Sequence, residues 1–405
     1  MEIGMGQARF LQQFDTVQKK RFFISYAVFL INGMLALSIG ALLPFLREAR
    51  GFDYVFNGLL VSLHSVGNLA SSFLAGILPR FVGRKKSILI FNSFFAIAFF
   101  IILFGQNNAL LPIAFVMTGL ARGAASNFCN TVVNELATGK AWILNGLHAM
   151  FSVGAFLFPV ILLLFTHADE SRWILVCWFM LAVGILCWIL YFMIPLEEGG
   201  KSGTDARQQA GGGFGFFCEP IFYLCVSTLF FYLCAEQGVI GWLITYFKDT
   251  GLMSPGLSQL MASVQWIMIL AGRLTVAALS ARVDKNKLLR VMGIGFVLFG
   301  VLLLFSRNVP LIIIGIMGFG YSMAGIYPTT VSCAGELMHR YGYAWSFILT
   351  LASLGSIIMP TVIGRIAESA GIAYGMSSVI VVVAVDMVLI FALTAYHKAR
   401  GGLER

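Results

Sequence analysis

The chain has 405 residues, 59% hydrophobic and 11% charged, with a formal net charge of +9 and a mean hydropathy of +0.89. Soluble domains carry roughly a quarter charged residues, so this composition excludes a water-soluble globular fold and points to a chain that lives in a bilayer. The seven cysteines stand singly within or at the ends of apolar stretches; with no paired spacing they suggest neither a disulfide framework nor a zinc site, and they read as small apolar residues.

Residues 1–23 lack the short apolar region and small-residue cleavage site of a secretory signal, so the first span is expected to stay. In chain order, apolar stretches of about twenty residues, the length a helix needs to cross roughly 30 Å of hydrocarbon, fall near 22–46, 55–78, 87–105, 110–137, 141–166 and 172–196. Six more follow near 218–247, 255–280, 288–306, 309–334, 343–367 and 371–396. Between the two sets lies EEGGKSGTDARQQAGGG, residues 197–213, the one long polar and glycine-rich run. Such a run buries too little apolar surface to fold alone and reads as a flexible linker. The expected domains are therefore 1–196, a six-helix bundle, the linker 197–213, and 214–405, a second six-helix bundle.

Lysine and arginine set the orientation. With both termini in the cytoplasm, the outside receives only Arg47, Arg50, Arg172, Lys248, Arg307 and Arg365, and the remaining basic residues near span ends fall inside. The positive charge is then a consequence of topology and needs no nucleic-acid partner. A shift of 201 residues lays Gly119 on Gly320, Glu135 and Leu136 on Glu336 and Leu337, Gly154 on Gly355, and Pro159 on Pro360. Six helices duplicated to twelve, an all-α integral membrane fold of two pseudo-symmetric bundles, is the plan of many secondary transporters.

On these landmarks the chain resembles the major facilitator superfamily. The loop after the second span, with Gly76, Arg80, Gly83, Arg84, Lys85 and Lys86, is similar to that superfamily's cytoplasmic signature. The resemblance implies a gating role for Gly76, Gly83, Arg84 and Lys85; Arg80 stands where the family has an acid, and the positive-inside rule alone also accounts for the basic residues. The stretch from Leu144 to Pro159, with Asn145, His148 and Gly154, resembles the fifth span of the fucose and glucose permease group of sugar and cation symporters. The seventh span, with Glu236, Gln237, Gly238 and Trp242, is similar to that group's, and Tyr327, Pro328 and Thr329 give a weaker match in the tenth. In the fourth span Ser126 stands at the group's acid position, four residues before Asn130.

The residues also speak without the family. A charged side chain at the centre of a membrane helix costs about 2.5–3.5 kcal/mol on insertion scales, so polar residues in spans face a bundle interior or water and mark sites. Asn145, His148 and Ser152 share one helical face, as do Asn127, Asn130, Thr131 and Asn134, and Asn57, His64, Ser65, Asn68 and Ser72. Against this stands the plain reading that amides and hydroxyls hold helices together. Among ionisable residues, Arg122 is either a partner of Glu236 or an attractor for an anionic substrate. Arg273 is read as snorkelling toward the basic loop 282–287 or binding a helix end, and Asp386 as peripheral, paired with an inner-leaflet cation.

Amides, acids and imidazoles that bond hydroxyls, with aromatic faces that stack on a pyranose, are what sugar recognition requires. Asn130, Asn145, His148, Glu236, Gln237 and Gln265 supply the first set, and Trp242, Trp266 and Tyr327 the second. The expectation is a multi-pass transporter in the cell membrane, acting as a monomer. It moves a small polar solute, foremost a monosaccharide, by alternating access coupled to H+ or Na+ through Glu236 or Asp386. The alternatives are an organic-anion carrier or exporter of the same fold, and a transporter-like sensor. No nucleotide loop, metal-ligand cluster or nucleophile and base motif is present, so neither an enzyme nor a cofactor is expected.

Overall fold

The computed structural model describes residues 14–137, 141–196, 213–280, 282–341 and 343–403. The linker proposed for 197–213 lies outside the described residues except for Gly213. Among the described residues, twelve helical segments are long and apolar enough to cross a membrane. In lipid the helix is favoured because it satisfies every backbone polar group within one segment. We number them α1 (Thr16–Arg50), α2 (Tyr54–Ile77), α3 (Arg84–Phe104), α4 (Leu111–Ala137), α5 (Ala141–Thr166) and α6 (Trp173–Met193). The rest are α7 (Pro220–Thr250), α8 (Pro255–Leu279), α9 (Lys285–Phe305), α10 (Val309–Met323, continued by Ile326–Cys333), α11 (Ala344–Ala370) and α12 (Ile372–Leu403). Three departures from the sequence expectation stand out: α1 runs a further turn or more at each end, α12 continues beyond 396, and α10 is interrupted at Ala324 and Gly325.

The chain divides into two compact units, described in turn. The first takes in 1–36, 67–155 and 174–202, and the second 37–66, 156–173 and 203–405.

In the first unit, α1 and α5 cross so closely that a side chain at Gly154 would overlap the carbonyl oxygen of Leu30. The neighbouring Tyr26 hydroxyl donates to the carbonyl of Ile143. After α2 a short helix, Pro79–Val82, leads to Gly83, whose φ of 84° lies in the left-handed region that glycine enters without strain. That turn delivers Arg84 and Lys85 to the start of α3. Arg84 pairs with Glu135 of α4 at 2.8 Å, and Lys85 donates to the carbonyls of Phe192 and Ile194 at the end of α6, where a helix leaves its last carbonyls without internal partners.

In the second unit, α7 is the central element, packed against both α11 and α12, while α9 packs on α10 and α12. Gly355 of α11 repeats the device of Gly154, since a side chain there would overlap the carbonyl oxygen of Phe230 on α7. The residues related by the 201-residue shift thus make equivalent helix crossings within the two units. Trp242 of α7 is fully buried, and its indole N–H donates to the carbonyl of Pro360 on α11 at 3.2 Å.

Candidate polar site and ionic network

In the first unit the polar face of α5 stands open. Asn145 and His148 are exposed, and the His148 ring meets Phe29 of α1 edge-on, with centroids 5.3 Å apart. Ser152, one turn on, turns its hydroxyl back to the carbonyl of His148 at 3.3 Å. On α4, Asn130 donates to the backbone oxygen of Ser126 at 2.7 Å, and Thr131 to that of Asn127 at 2.9 Å. Ser126 in turn accepts from the amide of Asn32 on α1 at 2.9 Å, a neutral contact between α1 and α4. Arg122 is half-buried, its guanidinium 6.0 Å from the centre of the Phe151 ring.

In the second unit the polar centre is on α7. Glu236 accepts a hydrogen bond from the hydroxyl of Tyr232 at 3.0 Å, one turn earlier on the same helix. Tyr327 of α10 leans obliquely on the Tyr232 ring with centroids 6.0 Å apart. Gln237 lies half-buried beside Glu236. Arg273 is half-buried in α8. The expectation that Asp386 is peripheral is corrected: it is fully buried in α12, and neither carboxyl oxygen has a hydrogen-bond partner. Gln265 and Trp266 are buried, with the Gln265 amide against Met323. Neither they nor Trp242 presents an open aromatic or amide face, and of the aromatic candidates Tyr327 adjoins the Tyr232 ring that donates to Glu236.

Tyr232 is not among the sequence candidates. Its signal was available: it precedes Glu236 by four residues, the spacing that stacks side chains on one helical face. The same second unit holds a feature that charge counting passed over. Lys248 of α7 donates to Glu48 of α1 at 2.8 Å and to Glu170 at 2.6 Å, and lies 4.6 Å from the centre of the Phe45 ring. Asp249 accepts from Arg47 and, at 2.8 Å, from the Tyr54 hydroxyl. Glu368 of α11 accepts from the backbone of Tyr54 at 2.9 Å. The ends of α1, α7 and α11 and the start of α2 are thereby tied into one ionic network.

The sequence matches the Major Facilitator Superfamily profile over residues 22–360. The chain belongs to the major facilitator superfamily. Among curated relatives, it is similar to a glucose/mannose transporter of Bacillus subtilis (strain 168), with 22% identity over 85% of this chain and 87% of that one. It is also similar to a TsgA homolog of Erwinia tasmaniensis, 21% identical over 94% and 96% of the two chains. Among solved structures it resembles the nucleoside transporter NupG, with TM-score 0.71 and 15% identity over 94% of this chain and 99% of that one. A D-xylose-proton symporter superposes with TM-score 0.72 and 13% identity over 94% and 97%. The structural likenesses show the fold, a multi-pass all-helical membrane protein, and the family match makes it a transporter, not an enzyme.

Proposed function

We propose that this superfamily member carries a monosaccharide across the cell membrane, both termini in the cytoplasm, by alternating access of its two six-helix halves. In this reading it works as a monomer and couples the solute to H+ or Na+. The observation that carries the reading is the open polar face of α5. Asn145 and His148 sit within a membrane-length helix yet are exposed; polar side chains facing lipid there would be penalised, so the face belongs to a watery path. An amide and an imidazole, both able to donate and accept, suit hydroxyls. Tyr232, Glu236, Gln237 and Tyr327 form a second hydroxyl-bonding set on α7 and α10. The glucose/mannose transporter among the relatives supports the same substrate class.

With this orientation the Lys248 and Asp249 network lies on the outer side and acts as a latch, while Gly83, Arg84 and Lys85 form the cytoplasmic turn. A side chain at Gly76 would meet nothing within 4 Å, so Gly76 is not required there by close packing. A second reading, an organic-anion carrier, draws on the half-buried Arg122. Uptake of radiolabelled D-glucose and D-mannose into proteoliposomes tests the first reading. Uptake of organic acids with no sugar uptake would replace it by the second.

A further inference from the structure

Two carboxyls lie deep in the spans of the second unit, and their surroundings are opposite. Glu236 accepts a hydrogen bond from Tyr232 at 3.0 Å. A donor to the carboxylate favours its ionised form. Asp386 has no accessible surface and no hydrogen bond to either oxygen. An isolated carboxylate in such surroundings is so costly that the neutral acid replaces it. When two acids are held this far apart by environment, their roles divide: one stays charged, and the other holds a proton.

The packing places these acids on opposite sides of α7. Cys234 of α7 lies within electrostatic range of Asp386, and Glu236 follows it by two residues, a rotation of about 200° on a helix of 3.6 residues per turn. The face of α12 that carries Asp386 is turned to α7 and α9. Val379, two turns before it, meets Gly238 of α7, and Ile390, one turn after, meets Gly293 of α9. On α7 the titratable group toward it is Cys234. On α9, Arg290 is engaged two turns away, donating to Thr394 at 2.7 Å. On α11 the charged residues Arg365 and Glu368 stand in its last turns, and on α12 itself His397 and Lys398 stand near its end.

We propose that the coupling ion is the proton and that Asp386, rather than Glu236, carries it. The inference rests on the transporter reading above. The O–H bond of the Asp386 carboxyl forms with a proton taken from water on one side of the membrane and breaks to release it on the other. No electron moves and no covalent intermediate arises. Helix α7, with the solute-binding cluster on one side and the proton carrier on the other, is the link between the two events.

The test begins with infrared spectroscopy of the reconstituted full-length chain at neutral pH. A stretching band of a protonated carboxyl is expected, shifted when the protein is grown with 13C-labelled aspartate and retained in Glu236→Gln. Absence of that band, or a band shifted only by labelled glutamate, would overturn the assignment. This readout needs neither a substrate nor an Asp386 variant that folds. The second arm uses proteoliposomes with a trapped pH-sensitive dye and an imposed pH gradient. Wild-type vesicles should acidify on addition of D-glucose, and Asp386→Asn vesicles should show at least a tenfold smaller signal. Acidification of equal size in that variant would refute the proton role. Failure of wild-type vesicles to take up any sugar, with the aspartate band intact, would instead refute the sugar reading and leave the proton assignment standing.

Discussion

At the scale of single residues, Asn145 and His148 are the side chains on which recognition turns in this reading. Each is expected to hold a solute hydroxyl, and removing one partner of a desolvated hydrogen bond costs about 1–3 kcal/mol. Asn145→Ala and His148→Ala should therefore each weaken D-glucose binding by roughly 5- to 150-fold, since every 1.4 kcal/mol is a factor of ten. Both residues are exposed, so their truncation leaves no cavity, and the melting temperature without ligand should stay within about a degree or two. Isothermal titration calorimetry on purified protein measures the first expectation and scanning fluorimetry the second. Unchanged affinity in both variants would move the site elsewhere. Tyr232 yields a sharper case: Tyr232→Phe deletes the hydroxyl that donates to Glu236, while keeping the ring. Binding should weaken by about 1 kcal/mol, roughly fivefold, with expression unaffected.

At the scale of elements, the helix crossings discriminate between glycines that look alike in the sequence. Gly355→Ala drives a methyl group into the backbone oxygen of Phe230; as a backbone clash that side-chain motion cannot relieve, it should cost about 1–3 kcal/mol. Gly76→Ala adds a methyl group where nothing lies within 4 Å and should be neutral or stabilising by about 0.5–1 kcal/mol, because glycine inside a helix is the less favourable residue. Thermal unfolding in detergent separates the two. The contrast also marks what the sequence could and could not say. The spans were readable because twenty apolar residues in a row leave few options, and the repeat marked Gly154 and Gly355 as equivalent before their crossings were known. The burial of Asp386 was not readable, because a helix of nearly uniform apolarity such as α12 gives no phase from which to tell its inner face. Trp242 is ambiguous in the sequence for a related reason: an aromatic ring suits stacking on a ring-shaped solute and packing between helices equally, and here the ring is buried with its N–H on Pro360.

At the scale of the whole molecule, the ionic network joins residues some 80 to 300 positions apart in the chain. The charge count assigned Arg47 and Lys248 to the outside as exceptions to a rule; what they are for is visible only once distant partners meet. In the proposed cycle these contacts must part for the outer side to open. Lys248→Ala removes two of them together, each worth about 0.2–1 kcal/mol at a partly exposed position. The variant should therefore populate the outward-open form roughly two- to thirtyfold more, at about 1.4 kcal/mol per tenfold. A cysteine introduced at the buried Ser62, which bonds Thr361 at 2.8 Å in the same region, should then react correspondingly faster with a membrane-impermeant maleimide added outside. An unchanged rate would mean that the network does not set the conformational balance.

The make-up of that latch bears on how coupling must be measured. Its pairs range from half-buried Lys248 to Glu48, whose side chain is 69% exposed, and once parted the charges stand in water. Charges in contact are screened little, whereas separated charges are screened over a Debye length that shrinks from about 10 Å at 0.1 M salt to about 3 Å at 1 M. Added electrolyte thus lowers the free energy of the parted form relative to the closed one, whichever ion is added. Uptake should rise on going from dilute to concentrated potassium chloride as well as sodium chloride, with no ion crossing the membrane. A sodium gradient imposed by salt on one side alone would then mimic symport. Only gradients drawn at equal total ionic strength, with choline or potassium replacing sodium, distinguish an ion that is carried from one that merely loosens the door.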